Sequence, residues 1–252
     1  MKCIKKWFES KDVGNEQPNR ETMEVPMPEI VRPHQDRVIP DFKISSKKEI
    51  YPLALLDLDP DRGGFMVPTH VVHHYVVGYK TQSTVDYFKS NGVDIHFVFG
   101  HKGEVIQMSE LNRQCAHAGE SKLGSLSGFN RFSIGIEHVN LGLLKKEGSK
   151  FFDYYGRPYN KPDVRMREYK GAKAYWEPLT EAQEQRTLEL ALYLYLAYGI
   201  KPENHVGHYE ISGYRGKADP WGSYSWGTMD EVRNQIRLYI EEYKFRQALK
   251  KN

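Results

Sequence analysis

Three short, β-branched runs constrain this chain most: Thr69–Tyr75 (THVVHHY), Val93–Phe99 (VDIHFVF) and Ser133–Val139 (SIGIEHV). Each has the length and composition of a strand. Gly78 ends the first. The second turns at His101-Lys102-Gly103-Glu104, and Val105–Met108 pairs back on it as a hairpin. Helix signals lie between and after these runs. Thr81-Gln82-Ser83-Thr84 offers caps for a short helix that carries Val85 and Phe88 and stops at Gly92. Thr180-x-x-Gln183 is a capping box for a strong helix ending at Gly199, and Thr228-x-x-Glu231 opens another that runs to about Leu249. Strands interleaved with helices predict an α/β fold: a single domain with a central mixed β-sheet flanked by helices.

Two segments fall outside that pattern. Residues 1–50 hold Pro18, Pro26, Pro28, Pro33 and Pro40, many charges and no sustained periodicity, so they read as an extended N-terminal arm. The globular domain is expected over 51–252. Within it, residues 141–178 carry Phe151, Phe152, Tyr154, Tyr155, Tyr159, Tyr169, Tyr175 and Trp176 without clear elements. The expectation is a long irregular insertion, a kind of connection that is usually functional or mobile. Its aromatic faces suit either a substrate wall or a local satellite core.

Composition excludes several classes. Hydrophobic residues make up 39%, with 21 glycines besides, which is ordinary for a globular chain and rules out collagen-like or wholly disordered ones. Lys+Arg is 36 against 33 Asp+Glu, a net charge of +3 that demands no nucleic-acid partner. Two distant cysteines, Cys3 and Cys115, give neither a disulfide framework nor a Cys-rich metal site, so a reducing compartment is the simpler reading. The opening MKCIKKWFES lacks the apolar core of a signal peptide. The stretch Leu188–Ile200 contains Glu189 and is too short to span a bilayer. A soluble, cytoplasmic chain without a transmembrane segment is therefore expected.

Chemistry concentrates in the ten histidines, chiefly His73-His74, His96, His117 and His205-x-x-His208. Hydrolytic zinc takes three protein ligands and keeps one position open. One His from an early strand, with one His and one Asp from a late segment, meets that need. His73 and His74 point to opposite faces of their strand. His208 and Asp219 flank a turn-rich loop that can bring both ends to one ion. The same residues read equally well as polar groups satisfied in loops, and spacing alone leaves both readings open. Glu137 lies between apolar neighbours, where burial raises a carboxylate's pKa toward values useful for proton transfer, unless a nearby Lys or Arg pairs with it. Lys217 stands two residues before Asp219, placed either to stabilise developing negative charge or as a solvated loop lysine.

In order along the chain, VVHHY, CAHAGES, NRFSIGIEHVN and GHYEISGYRGKADPW resemble the zinc-dependent N-acetylmuramoyl-L-alanine amidases of the type 2 amidase family. That family takes in cell-wall recycling amidases, phage endolysins and peptidoglycan recognition proteins. The resemblance covers roughly Pro68 to Trp226 and implies one zinc ion at one edge of the sheet. It implies His73, His208 and Asp219 as metal ligands, Lys217 as a transition-state stabiliser and Glu137 as general base. It places His96, His117 and Asn130 along the substrate cleft. Arg131 is the stand-in for a basic residue that some recycling enzymes carry just upstream of that Asn. The implied activity is hydrolysis of the amide bond between N-acetylmuramic acid and L-alanine in peptidoglycan or muropeptides. The alternative is a non-catalytic peptidoglycan-binding module of the same fold. An endolysin would reach the wall through a holin.

Overall fold

The computed structural model describes residues 38–58, 63–213 and 216–251. In chain order the first half contains β1 (Leu55–Leu56), β2 (His70–Val77), α1 (Thr81–Asn91), β3 (Phe97–Phe99), β4 (Val105–Gln107), β5 (Lys122–Leu123), β6 (Leu126–Ser127) and β7 (Ser133–Asn140). The second half contains β8 (Leu143–Glu147), β9 (Lys150–Phe152), β10 (Pro158–Tyr159), β11 (Arg165–Tyr169), β12 (Ala172–Trp176), α2 (Glu181–Tyr198), β13 (His205–Gly207), α3 (His208–Ile211) and α4 (Met229–Leu249).

Six strands form the central sheet in the order β1-β4-β3-β7-β2-β13. β3, β7, β2 and β13 run parallel, and β4 runs antiparallel to β3, so the sheet is mixed as the sequence predicts. Alternation along each strand sorts side chains between two faces. On one face Val71, Phe97, Phe99, Ile134 and Ile136 bury against Leu190, Tyr193 and Leu194 of α2. On the other, Val98 and Val139 pack on Val85 and Phe88 of α1, and Val72 packs with Ala118, Phe129, Val206 and Ile211. Burying each large aliphatic or aromatic side chain is worth about 1.5–3 kcal/mol, so both faces contribute to holding the sheet.

The capping boxes form as expected. Thr180 Oγ1 accepts from Gln183 N at 3.2 Å, and Gly199 ends α2 in the left-handed conformation at φ 71°. The Glu231 carboxylate accepts the Thr228 backbone N–H at 2.8 Å. Two expectations shift. Lys80, not Thr81, caps α1, and no side chain bonds there. The second run enters the sheet only at Phe97, because Val93 N bonds back to Phe88 O and finishes the helix cap instead.

The described end of the expected arm is part of the folded unit, which covers Ile39–Asn252. The Phe42 ring meets those of Tyr193 and Tyr51 at 5.4 and 5.8 Å, and Lys48 O accepts from the Tyr193 and Tyr198 hydroxyls. Residues 1–37 of that arm lie outside the described residues.

The insertion is not irregular. It is a second, antiparallel sheet ordered β10-β9-β8-β12-β11. Two-residue turns close two of its hairpins, β8–β9 and β11–β12. Gly148 has φ 58°, and Lys170 and Gly171 have φ 51° and 77°, the positive pair a type I′ turn requires. Leu141, Leu144 and Tyr159, with Phe151 and Tyr175, form its own small core.

Candidate metal centre

Strand register sets out the centre. β13 pairs with β2 so that Gly207 lies opposite His73, and the next residue, His208, comes level with His74. On the other side His74 lies opposite Glu137 in β7. β7, β2 and the first residue of α3, directly after β13, thus present Glu137, His74 and His208 in one row on the same face. The loop after α3 returns to this row, where Tyr209 N donates to Asp219 O at 2.9 Å and so brings Asp219 beside His208.

The donor atoms converge. His74 Nδ1 is 2.9 Å from His208 Nδ1 and 3.1 Å from Asp219 Oδ2, and His208 Nδ1 is 2.8 Å from the same oxygen. All three residues are buried. Two imidazole nitrogens and a carboxylate oxygen suit a borderline ion such as zinc. Tetrahedral bonds of about 2.0–2.2 Å separate ligands by about 3.3–3.6 Å, so a slight spreading of the cluster accommodates one. The residues present fit the metal.

The expected ligand His73 is not in this cluster. It faces the α2 side, where its Nδ1 meets Tyr224 Oη at 2.9 Å and its Nε2 meets His205 Nδ1 at 3.1 Å, with the His138 ring stacked at 6.2 Å. His74 takes its place. The reason is alternation along β2: Val71 and His73 share the face covered by α2, while Val72 and His74 share the other. His205 and His138, which drew no role from the sequence, complete this second buried histidine group. Burial holds His138 down at about 4 and His205 at about 3, so both are neutral.

Electrostatics divide the cluster. Burial opposes ionisation of Asp219, but the His208 charge and hydrogen bonds from His208 and His74 outweigh it and hold the carboxyl far below its ordinary range. Burial, then the His208 charge, lowers His74 to about 4. Glu137 moves the other way. Burial, then the Asp219 charge, raises its pKa well above 4.5, with Lys217 opposing. Its Oε2 is buried and has no hydrogen-bond partner among the described residues. Lys217 is partly exposed and its backbone N–H donates to Ser212 Oγ at 3.2 Å.

The remaining expected residues divide. His117 reaches the cluster indirectly, through His74 Nε2 at 3.1 Å. His96 does not line a cleft. It is fully buried, its Nε2 donates to Arg113 O at 2.8 Å and its Nδ1 accepts from Gly135 N at 3.0 Å, so the ring ties β7 to the chain ahead of it. Asn130 Oδ1 accepts from Ala118 N at 2.7 Å and fixes the loop beside His117. Arg131 is exposed and donates to Ser127 O at 2.9 Å.

The insertion sheet grips the metal loop. Tyr169 Oη donates to Lys217 O at 3.2 Å, Trp221 Nε1 to Glu168 O at 3.1 Å, and Arg165 Nη1 to Ser225 O at 2.7 Å. Trp176 is fully buried and Tyr169 packs edge-on against it, so these aromatics form a local core and a clasp.

Comparison with known proteins bears on the family. The sequence profile of the N-acetylmuramoyl-L-alanine amidase family matches residues 64–222. A relative, the N-acetylmuramoyl-L-alanine amidase AmiD of Escherichia coli (strain K12), is 33% identical over 128 residues, 51% of this chain and 37% of that protein. The alignment thus spans little more than a third of that relative. A solved complex of AmiD from E. coli with the substrate anhydro-N-acetylmuramic acid-L-Ala-D-gamma-Glu-L-Lys has a TM-score of 0.49 at 23% identity, covering 71% of this chain and 60% of that one. A selenomethionine AmpD derivative has a TM-score of 0.48 at 20% identity, covering 74% of this chain and 96% of that one.

Proposed function

This chain belongs to the N-acetylmuramoyl-L-alanine amidase family, whose profile covers more than half of it, and from that premise we propose that it hydrolyses the amide bond between N-acetylmuramic acid and L-alanine in peptidoglycan or muropeptides. The observation that carries the reading is the row His208–His74–Glu137 with Asp219 closing on it. It supplies three convergent donors and, one strand away, a carboxyl of raised pKa.

His74, His208 and Asp219 would hold one zinc ion. Zinc in such a site polarises a carbonyl and lowers the pKa of water to about 7. Glu137 takes a proton from the attacking water. It then delivers that proton to the departing amine of L-alanine, and its raised pKa favours its holding the proton between the two transfers. Lys217, whose charge is felt by Glu137 and His74, holds the negative charge that develops on the carbonyl oxygen. Asp219 stays ionised throughout and offsets the charge of the site.

Mass spectrometry of purified muropeptides incubated with the chain tests the reading. Free stem peptide beginning at L-alanine, together with the free saccharide, is expected. Chelation abolishes both products and added zinc restores them. Intact muropeptide, scission at another bond, or cleavage indifferent to chelator refutes it.

A further inference from the structure

Three tyrosines at the insertion belong neither to its core nor to its clasp on the metal loop. Tyr79, Tyr154 and Tyr155 are 41%, 39% and 64% exposed. Their footing is nonetheless fixed. Asp153, buried at the head of the β9–β10 turn, accepts from the Tyr79 hydroxyl at 2.6 Å, from the backbone N–H groups of Tyr155 and Arg157 at 2.8 and 2.9 Å, and from Arg157 Nε at 2.7 Å. The Arg157 guanidinium sits against two of the rings, 4.3 Å from the Tyr79 centroid and 4.8 Å from that of Tyr155. The Tyr154 ring meets Tyr155 edge-on at 5.3 Å. The Arg157 side chain is half exposed and Asp153 takes only its Nε, so the terminal nitrogens remain for a ligand. Rings and a guanidinium held this way lose little freedom on binding.

Place and charge say what this platform fits. Tyr79 follows the carboxyl end of β2 by two residues, and the insertion leaves from the carboxyl end of β7. In open α/β sheets, ligands bind outside the carboxyl ends of the strands. Tyr79 is five residues beyond His74, at most about 18 Å along an extended chain, so one polymer can reach both places. Residues 141–178 hold nine Lys and Arg against five Asp and Glu, while the whole chain is only +3. The insertion therefore carries all of the net positive charge, which favours an anionic partner. Saccharide rings stack their C–H faces on tyrosine, and a carboxylate matches the guanidinium fork. We propose that Tyr79, Tyr154, Tyr155 and Arg157 form a second binding site, for the saccharide strand of peptidoglycan and the carboxylates that its peptides carry, so that the insertion holds the polymer while the metal centre acts on it. The choice of this polymer rests on the amidase reading.

Cosedimentation of the full chain with purified peptidoglycan sacculi, stripped of protein and of attached polymers, tests it. The chain carries Glu137→Gln in this assay, so that the sacculi stay intact. Adding Tyr154→Ala with Tyr155→Ala is expected to weaken binding at least about tenfold, the effect of losing aromatic anchors. Tyr155→Trp keeps a stacking face and is expected to bind as the parent does. Insoluble poly-N-acetylglucosamine, which is neutral, is expected to retain less of the parent chain than sacculi do. Parent-like binding in the double variant, or equal retention on the neutral polymer, overturns the proposal. Hydrolysis by chains with the native Glu137 then separates binding from a merely structural role. The double variant is expected to lose about tenfold more rate on sacculi than on a soluble muropeptide, and equal losses overturn the proposal. Circular dichroism checks folding, and if the double variant fails to fold, Tyr155→Ala alone, at the most exposed of the rings, decides. Sacculus binding that needs the tyrosines, in a chain that leaves muropeptides intact, removes the amidase reading and not this one. An active chain whose double variant binds like its parent does the reverse.

Discussion

His96 offers a sharp test of how the buried histidines shape stability. Replacing it by leucine strands two backbone groups, the Gly135 N–H it accepts from and the Arg113 carbonyl it donates to. An unmet buried group costs about 1–3 kcal/mol, so with two of them His96→Leu is expected to lose about 2–6 kcal/mol at pH 7. The loss then depends on pH. Burial holds the ring at about 4, against about 6.5 in the unfolded chain. Between those values the unfolded chain takes up a proton that the folded chain refuses. The native state therefore loses stability as pH falls from 6.5 toward 4. For His96 alone that loss is about 0.2 kcal/mol at pH 7 and about 2 kcal/mol at pH 5. Leucine binds no proton in either state, so the gap between wild type and variant is expected to narrow by about 1.8 kcal/mol from pH 7 to pH 5. Urea denaturation of both proteins at the two pH values measures it. A gap that is constant, or that widens in acid, refutes the claim that this ring is kept neutral by burial.

Other outcomes follow from the same geometry. His74→Ala is expected to abolish zinc binding in elemental analysis. His73→Ala keeps the metal and loses about 1–3 kcal/mol, because the Tyr224 hydroxyl and His205 lose their partner; the opposite pattern would restore His73 as the ligand. Glu137→Gln is expected to retain zinc and to cut turnover by about 10²–10⁴-fold. Because burial raises the Glu137 pKa, ionising it opposes folding as pH rises through that value, so Glu137→Gln gains thermal stability over wild type at alkaline pH; equal melting temperatures at pH 9 would contradict the assignment. Tyr169→Phe with Arg165→Ala removes two grips on the metal loop and is expected to speed zinc loss to a chelator with the central sheet intact by circular dichroism.

Much of this was legible in the chain. Strand-length runs, two capping boxes and a terminating glycine lead to the mixed sheet and its covering helices, because these signals are local and agree with the burial pattern. His208 and Asp219 were legible as a loop-linked pair. The choice between His73 and His74 was not, since both occupy one strand and only the partner elements say which face is core. Val71, one of the α2-facing residues, shares the His73 face, and that was the available clue. The insertion was misread because its aromatic residues hide the hairpin signal, which lies in Gly148-Ser149 and Lys170-Gly171. His96 looked like a cleft residue and is a backbone anchor, a distinction set by Gly135 and Arg113, which lie well away from it in sequence.

The grip of β11 on residues 217–225 has a wider consequence. None of its side chains is among the three converging donors, yet the position of Asp219 is relayed through them. Metal retention thereby becomes a report on the health of an accessory sheet. A protease nick or thermal fraying within the hairpins would register first as a slower catalyst that leaks its cofactor, while the main core still gave the spectrum of an intact protein.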